Sequence, residues 1–130
     1  MLRQVGNQLF RRYDKELLCI EPWGRNSLRV RATQLDKFQD DAVYSALLEP
    51  ESAATEIRIN GSRAEIINGK IRCEVMSTGK LRFYNQKGEL LLEEYDRNRM
   101  RDVVEDEFNS ALEIDPRTFE PHRGTNNFKL

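Results

Sequence analysis

The sequence predicts an all-β protein, folded as an antiparallel β-sandwich. Three observations support this class. The dominant hydrophobic period is two residues, turn residues separate the alternating runs at short intervals, and 130 residues are the size of one domain. Leu, Ile, Val and Phe make up about a quarter of the chain, more than the roughly 20% below which disorder is expected. A single hydrophobic core is therefore expected.

The first part of the chain predicts three strands. They cover Gln8–Tyr13, Lys15–Glu21 and Ser27–Thr33. Asp14 and the stretch Pro22–Asn26 carry the residues that reverse the chain between them.

The stretch from Thr55 to Glu94 predicts a meander of four or five antiparallel strands, because Asn-Gly, Thr-Gly and Lys-Gly pairs interrupt it at short intervals. Arg or Glu occupies the alternate positions, as a sheet with one wet face requires. The positions between them form the predicted core: Leu28, Val30, Ile57, Ile59, Ile71, Cys73, Val75, Leu81 and Phe83. The arginines Arg29, Arg31, Arg72 and Arg82 are expected on the opposite faces.

Two segments lack the alternation. Residues 36–50 fit either one or two helical turns or an irregular excursion, and the half-charged stretch 95–110 fits either a solvated helix or a mobile insertion. Residues 115–125 are expected to form a loop, and 127–130 to begin another strand.

The composition excludes several functions. A formal net charge of −1 removes the electrostatic attraction that nucleic acids or anionic membranes require, and no apolar run approaches the ~20 residues of a membrane span. Cys19 and Cys73 lie in strand-like runs, where free, buried thiols are favoured over a disulfide. With one histidine and no close cysteine pair, neither a metal site nor a cofactor is expected, and the predicted location is the cytoplasm.

Few residues qualify as chemical sites. The neighbouring carboxylates Glu93 and Glu94 are expected on the solvated surface, as are those at 40–41 and 105–107. His122 has no nucleophile motif near it and fits a loop position without a role. Trp23 fits two interpretations: its indole could stack on a sugar ring, or it could cover the end of the core.

Several of these stretches resemble glycoside hydrolase family 31, which contains α-glucosidases and α-xylosidases. Ile20-Glu21-Pro22-Trp23-Gly24, followed by Ser27–Arg31, resembles the opening strands of that family. Residues 67–71, leading to 79–85, are similar to the hairpin that follows. Residues 119–124, running into 128–130, are similar to the lead-in to a later strand.

The resemblance implies a galactose-mutarotase-like β-sandwich, with residues 1–130 as a single N-terminal domain or fragment placed before a catalytic (β/α)8 barrel. No Asp-Met-Asn segment of the family's nucleophile type occurs, and the barrel is not encoded here. The chain alone is therefore expected to be inactive. In the full-length enzyme its partners would be the downstream barrel and an α-linked glucoside or xyloside.

Because family N-terminal domains are longer, the sandwich is expected to be incomplete, and an open edge at Leu130 would favour self-association. Two alternatives to this segment of an α-glycosidase remain open: a free-standing carbohydrate-binding module, with Trp23 as its stacking residue, or a β-sandwich used for protein association.

The resemblance also implies that a loop of this domain can reach the barrel mouth and help to wall the sugar site. The loop 115–125 is the candidate, because Asp115, Arg117, His122 and Arg123 can hydrogen-bond to hydroxyl groups. The same loop also fits a solvated connector between two strands.

Overall fold

The computed structural model describes residues 1–38, 55–95 and 117–122. In these ranges the chain forms ten β-strands: β1 (Leu2–Val5), β2 (Gln8–Tyr13), β3 (Glu16–Pro22), β4 (Leu28–Thr33), β5 (Thr55–Asn60), β6 (Arg63–Asn68), β7 (Ile71–Val75), β8 (Leu81–Asn85), β9 (Leu90–Glu94) and β10 (Phe119–Pro121). None of the described segments forms a helix of the length and apolar character that a membrane crossing requires. Of the segments 36–50 and 95–110, which lack the alternation, the structure describes only residues 36–38 and residue 95.

The strands form two antiparallel sheets. Sheet A has the order β1-β2-β3-β4, and sheet B has the order β10-β9-β8-β7-β6-β5. Short turns such as Asp14-Lys15 join neighbours in the sheet, and Asp14 takes the left-handed backbone conformation (φ 57°) that the tight reversal between β2 and β3 requires. The predicted antiparallel β-sandwich is confirmed.

The core lies between the two sheets. Its buried members from sheet A are Leu9, Leu18 and Ile20, and those from sheet B are Ala64, Ile66, Cys73, Val75, Leu81 and Phe83. Among the predicted core residues, Cys73, Val75, Leu81 and Phe83 are confirmed as buried. Leu28, Val30, Ile57 and Ile71 are partly buried and pack against the core.

The prediction for Ile59 is wrong, since this side chain is 40% exposed. It lies on β5, which is one of the two edge strands of sheet B and, among the described strands, pairs only with β6. A side chain there has neighbours on one side only, and the alternation of the sequence does not distinguish an edge strand from a central one.

Strand β3 is buried on both faces. Leu18 and Ile20 face sheet B, while Leu17, Cys19 and Glu21 are also buried although they alternate with them. The outer face of sheet A is therefore covered around β3, and a side chain there needs internal partners.

The segment after residue 116 corrects a second prediction. Phe119–Pro121 forms the short edge strand β10 inside the predicted loop 115–125. Pro121 is compatible with this position, because β9 is the one described strand that pairs with β10, and the missing N–H leaves no other described strand without a ladder partner.

Candidate functional site

The turn that carries Trp23 is fixed to the turn between β6 and β7. The fully buried Asn68 donates from Nδ2 to the backbone oxygens of Gly24 (2.8 Å) and Ser27 (2.7 Å). The backbone N–H of Lys70 donates to Oδ1 of Asn26 at 2.9 Å. Two of the stretches on which the family resemblance rests, 20–24 and 67–71, therefore meet at one end of the sandwich.

Trp23 stacks on a cation of its own chain. The Arg29 Cζ atom lies 3.8 Å from the centroid of the Trp23 ring. One face of the indole is therefore covered. The Trp23 Nε1 atom is buried, and the part of the chain that the structure describes offers it no hydrogen-bond acceptor.

Arg29 also belongs to a cluster around Glu21. Oε2 of Glu21 accepts from Nη2 of Arg29 and from Nη2 of Arg31, each at 2.9 Å. These three residues lie side by side on β3 and β4, on the covered outer face of sheet A. The Cζ atom of Arg31 also lies 4.5 Å from the centroid of the Phe38 ring.

Both cysteines are free and buried, as expected. Burial raises the pKa of Cys19 to about 11, and the neighbouring carboxylate of Glu21 contributes in the same direction. Burial likewise raises the pKa of Cys73. Because the nucleophilic form of a cysteine is the thiolate, neither is poised for chemistry near neutral pH.

The opposite end of the sandwich contains a buried charged cluster, formed by Arg11, Glu16, Glu94 and Arg117. Nη1 of Arg117 donates to both carboxylate oxygens of Glu94, at 2.7 and 2.9 Å, and to the Gly79 carbonyl at 3.1 Å. Its Nη2 donates to Oε1 of Glu16 at 2.5 Å and its Nε to Oε2 at 3.4 Å. The side chains of Arg117, Glu16 and Glu94 are only 7%, 8% and 2% exposed.

Glu94 corrects the prediction that the pair Glu93-Glu94 lies on the solvated surface. Successive residues of β9 point to opposite faces, so only Glu93 faces outward, where it pairs with Lys80 (2.9 Å). Glu94 faces inward and also accepts the backbone N–H of Leu81 at 3.0 Å.

Arg11 completes the cluster next to Gly79. The Arg11 Cζ atom lies 4.9 Å from the centroid of Tyr13, and a Cβ atom on Gly79 would collide with the Arg11 guanidinium. Gly79 has a φ of +90° and forms the turn before β8, so it provides both the reversal and the space for the guanidinium.

His122 lies just beyond β10, at the boundary with solvent. Its backbone N–H donates to the Leu91 carbonyl at 2.7 Å, and its Nε2 lies 3.3 Å from Oε2 of Glu93, in an orientation that makes no hydrogen bond. The side chain is 34% exposed. Of the four predicted residues of the sugar-proximal loop, Arg117 and His122 flank β10, while Asp115 and Arg123 lie outside the described residues.

The arrangement suits charge pairing inside the fold better than acid–base chemistry. Glu16 and Glu94 converge on the guanidinium of Arg117, and both side chains are almost fully buried, so a substrate has no access to them. Within the described ranges, no three His, Cys, Asp or Glu side chains are grouped as metal ligands.

Glu16, Glu94 and Arg11 were not predicted as a group, although the sequence carries a signal for them. Each lies two positions from a core-packing residue of its own strand, so both side chains point to the same face. The pairs are Arg11 with Leu9, Glu16 with Leu18 and Glu94 with Leu92. A charged residue at an inward position near a strand end predicts a buried partner. Glu21 and its two arginines carried no comparable signal, because their face was expected to be wet.

Comparison with known proteins agrees with the architecture. No family model matches the chain. The chain is 41% identical over 129 residues to an uncharacterized family 31 glucosidase, ORF2, of Pseudescherichia vulneris; the match covers 95% of this chain and 24% of that protein. The crystal structure of a GH31 α-xylosidase from a soil metagenome, complexed with xylose, is similar with a TM-score of 0.69 and 41% identity, over 76% of this chain and 14% of that one.

The described residues thus define an all-β protein of two packed antiparallel sheets. Its resemblance to glycoside hydrolase family 31 is confirmed, and the chain corresponds to a segment of proteins of that family. It spans about a quarter of the length of the curated relative.

Proposed function

We propose that this chain is the non-catalytic N-terminal β-sandwich segment of an α-glycosidase of the α-glucosidase or α-xylosidase type. Residues 1–130 form one domain that supports a catalytic (β/α)8 barrel. The observation that carries the proposal is the 41% identity across 95% of the chain to a protein of which it spans only 24%. The substrate would be an α-linked glucoside or xyloside, bound by the full-length enzyme.

The chemistry of the described carboxylates supports a non-catalytic role. A retaining glycosidase needs two carboxyl groups about 5–5.5 Å apart on either side of the anomeric carbon, both reachable by the sugar. Glu16 and Glu94 are the pair that meets inside the fold, yet both are bound to Arg117 and almost fully buried. The reactive carboxylates would therefore come from the rest of the enzyme.

Within the loop proposed to approach the sugar, His122 is the described residue with a partly exposed imidazole. It follows a strand held by β9; its Nε2 atom is buried, so a sugar hydroxyl would meet the ring from its exposed side, where an imidazole nitrogen can hydrogen-bond to it. Arg117 would act as the anchor of the same segment. Asp115 and Arg123 complete the proposed group on the strength of their side-chain chemistry alone.

Trp23 supports the alternative of a carbohydrate-binding module. Its Nε1 atom lacks an acceptor in the described part of the chain, and a sugar hydroxyl could supply one. Against this, Arg29 covers one face of the ring and Asn68 fixes the turn as part of the sandwich end.

Two further parts of the proposal concern the cellular compartment and the oligomeric state. Free, buried thiols at Cys19 and Cys73 support a reducing compartment, hence the cytoplasm. Self-association through an open sheet edge stays a prediction, and the strand expected at 127–130 lies outside the described residues.

The test is hydrolysis of aryl α-glucosides and α-xylosides by the enzyme that contains this chain. His122→Ala should lower kcat/KM about 5- to 10-fold, the loss expected for one sugar hydrogen bond of about 1 kcal/mol. Lys87→Ala, in the turn between β8 and β9, serves as the control and should leave kcat/KM unchanged. Unchanged kinetics in both variants would show that the loop only connects two strands. An enzyme without α-glycosidase activity would refute the proposed function.

A further inference from the structure

Arg117 contacts three separate parts of the fold. It reaches Glu16 at the start of β3 in sheet A, the Gly79 carbonyl in the turn before β8, and Glu94 at the end of β9 in sheet B. All three nitrogens of the guanidinium donate to acceptors. One side chain therefore joins the two sheets to the segment that leads into β10.

Among the described residues, the other backbone hydrogen bonds of this segment are with sheet B and the residue that follows it. Strand β10 has three residues, and Pro121 has no N–H. The segment is held by bonds from the Tyr95 N–H to the Thr118 carbonyl (2.8 Å) and from the His122 N–H to the Leu91 carbonyl (2.7 Å). The rings of Phe119 and Phe83 also meet edge to face, with centroids 6.0 Å apart.

A lysine could not make the same set of contacts. The guanidinium is a rigid planar fork with five donors, whereas an ammonium is a point charge on a flexible stem. At position 117 the donors diverge to two carboxylates and a carbonyl that belong to three elements, so only the fork can satisfy all of them at once.

We infer that Arg117 is a positioning residue, which holds the segment 117–122 against both sheets and thereby sets the location of His122. The effect of this positioning on sugar binding rests on the proposed function. The effect on segment 117–122 does not, because it follows from the contacts of Arg117 alone.

The first test measures backbone hydrogen exchange in the 130-residue chain. Arg117→Lys should speed exchange of the Tyr95 and His122 amides at least tenfold, while the Cys73 amide in the centre of sheet B keeps its rate. Arg58→Lys is the matched control, since Arg58 also pairs with two carboxylates, Glu56 and Glu65, but is 61% exposed. It should leave all three amides unchanged.

Two results of this test would overturn the inference. Equal acceleration at Cys73 would show that Arg117 only adds global stability, and no acceleration at Tyr95 and His122 would show that the segment is held without it. If Arg117→Lys does not fold, Glu16→Gln replaces it. This variant keeps the pair of Arg117 and Glu94 but weakens the link to sheet A, so a smaller selective acceleration is expected, and its absence overturns the inference.

The second test is a double-variant cycle in the enzyme that contains the chain. If Arg117 acts through His122, Arg117→Lys should lower kcat/KM about as much as His122→Ala, and the combined variant should fall no further. Additive losses would overturn this route of action. If His122→Ala has no effect while exchange at the segment is selectively faster, the sugar-proximal role fails and the positioning of the segment stands.

Discussion

Arg117 donates to both carboxylate oxygens of Glu94 from a single nitrogen, at 2.7 and 2.9 Å, and the two side chains are 7% and 2% exposed. A pair this deeply buried has lost its water, so each charge depends on the other. Glu94 ends a strand of the meander, whereas Arg117 lies 23 positions later in the chain. The pair therefore connects the last long strand of sheet B to the segment that adds its edge strand.

Replacing Arg117 by Met should destabilise the chain by about 3–5 kcal/mol, the cost typical of leaving one partner of a buried ion pair without its counter-charge. The carboxylates of Glu16 and Glu94 would then lose the guanidinium that both of them bind. Urea unfolding at neutral pH measures the loss. Arg58→Met, at a mostly exposed pair of contacts, should leave the midpoint nearly unchanged.

A double variant separates charge from volume in this prediction. Glu94→Gln combined with Arg117→Met removes one carboxylate together with one guanidinium, so that Arg11 and Glu16 remain as opposite charges, and it should recover most of the lost stability. If Arg117→Met costs no more than Arg58→Met, or if the double variant is as unstable as the single one, the cluster does not stabilise the fold in the way the geometry indicates.

The central strands of sheet B could be predicted from sequence because one physical rule governs them. In β7 and β8, Cys73, Val75, Leu81 and Phe83 alternate with charged or polar residues, and a register shift of one residue would bury those instead. Sequence alternation predicts such half-buried strands well.

The parts that could not be predicted depend on tertiary neighbours. Ile59 continues the alternation but lies on an edge strand, and the outer face of β3 is buried although Arg29 and Arg31 of the paired strand β4 indicate a wet face there. The cluster around Arg117 joins residues 16, 94 and 117, whose separations in sequence give no local signal of contact. The Asn68 side chain likewise meets its acceptors 41 and 44 positions away.

The close approach of two turns at Gly69 gives a matched glycine comparison. Gly69 and Gly61 have nearly the same backbone angle, with φ of +62° and +63°, but a Cβ atom at Gly61 meets nothing within 4 Å. At Gly69 it would collide with the Arg25 carbonyl and with Oδ1 of Asn26. Gly61→Ala should cost about 1–2 kcal/mol for the left-handed conformation alone. Gly69→Ala should cost clearly more, because the turn that carries Trp23 must move away.

Thermal or urea unfolding of the two variants measures the difference. Near-ultraviolet circular dichroism of Trp23 should change in Gly69→Ala and stay unchanged in Gly61→Ala. Equal costs in the two variants would contradict the close packing of these turns.

Glu93 provides a pH-dependent contribution to stability. The hydrogen bond from Lys80 lowers the pKa of Glu93, and the nearby Arg82 adds to the effect. A carboxyl whose pKa is lower in the folded state stabilises the fold fully above its unfolded pKa of about 4.3 and loses that contribution as the pH falls through the folded value. Lys80→Met should therefore raise the pKa of Glu93 and reduce the pH dependence of unfolding below pH 5.

Carbon-detected nuclear magnetic resonance of the Glu93 carboxyl group measures this pKa directly. Lys70→Met, in the turn between β6 and β7, is the control and should leave the titration of Glu93 in place. A Glu93 pKa that is the same with and without Lys80 would refute the assigned cause.

Trp23 is the only tryptophan of the chain, so its fluorescence reports on one site. The proposed function predicts that the 130-residue chain neither hydrolyses an aryl α-xyloside or α-glucoside nor changes its fluorescence when methyl α-xyloside or methyl α-glucoside is added in the millimolar range. The physical reason is that Arg29 already occupies one indole face at 3.8 Å and that the carboxylates of Glu16 and Glu94 are buried against Arg117. Arg29→Met provides the internal comparison: it removes the stacked cation and should shift the emission of Trp23 without any sugar.

A saturable fluorescence change with sugar in the unaltered chain, lost in Trp23→Phe, would instead favour a free-standing carbohydrate-binding module. Turnover by the chain alone would refute the non-catalytic assignment.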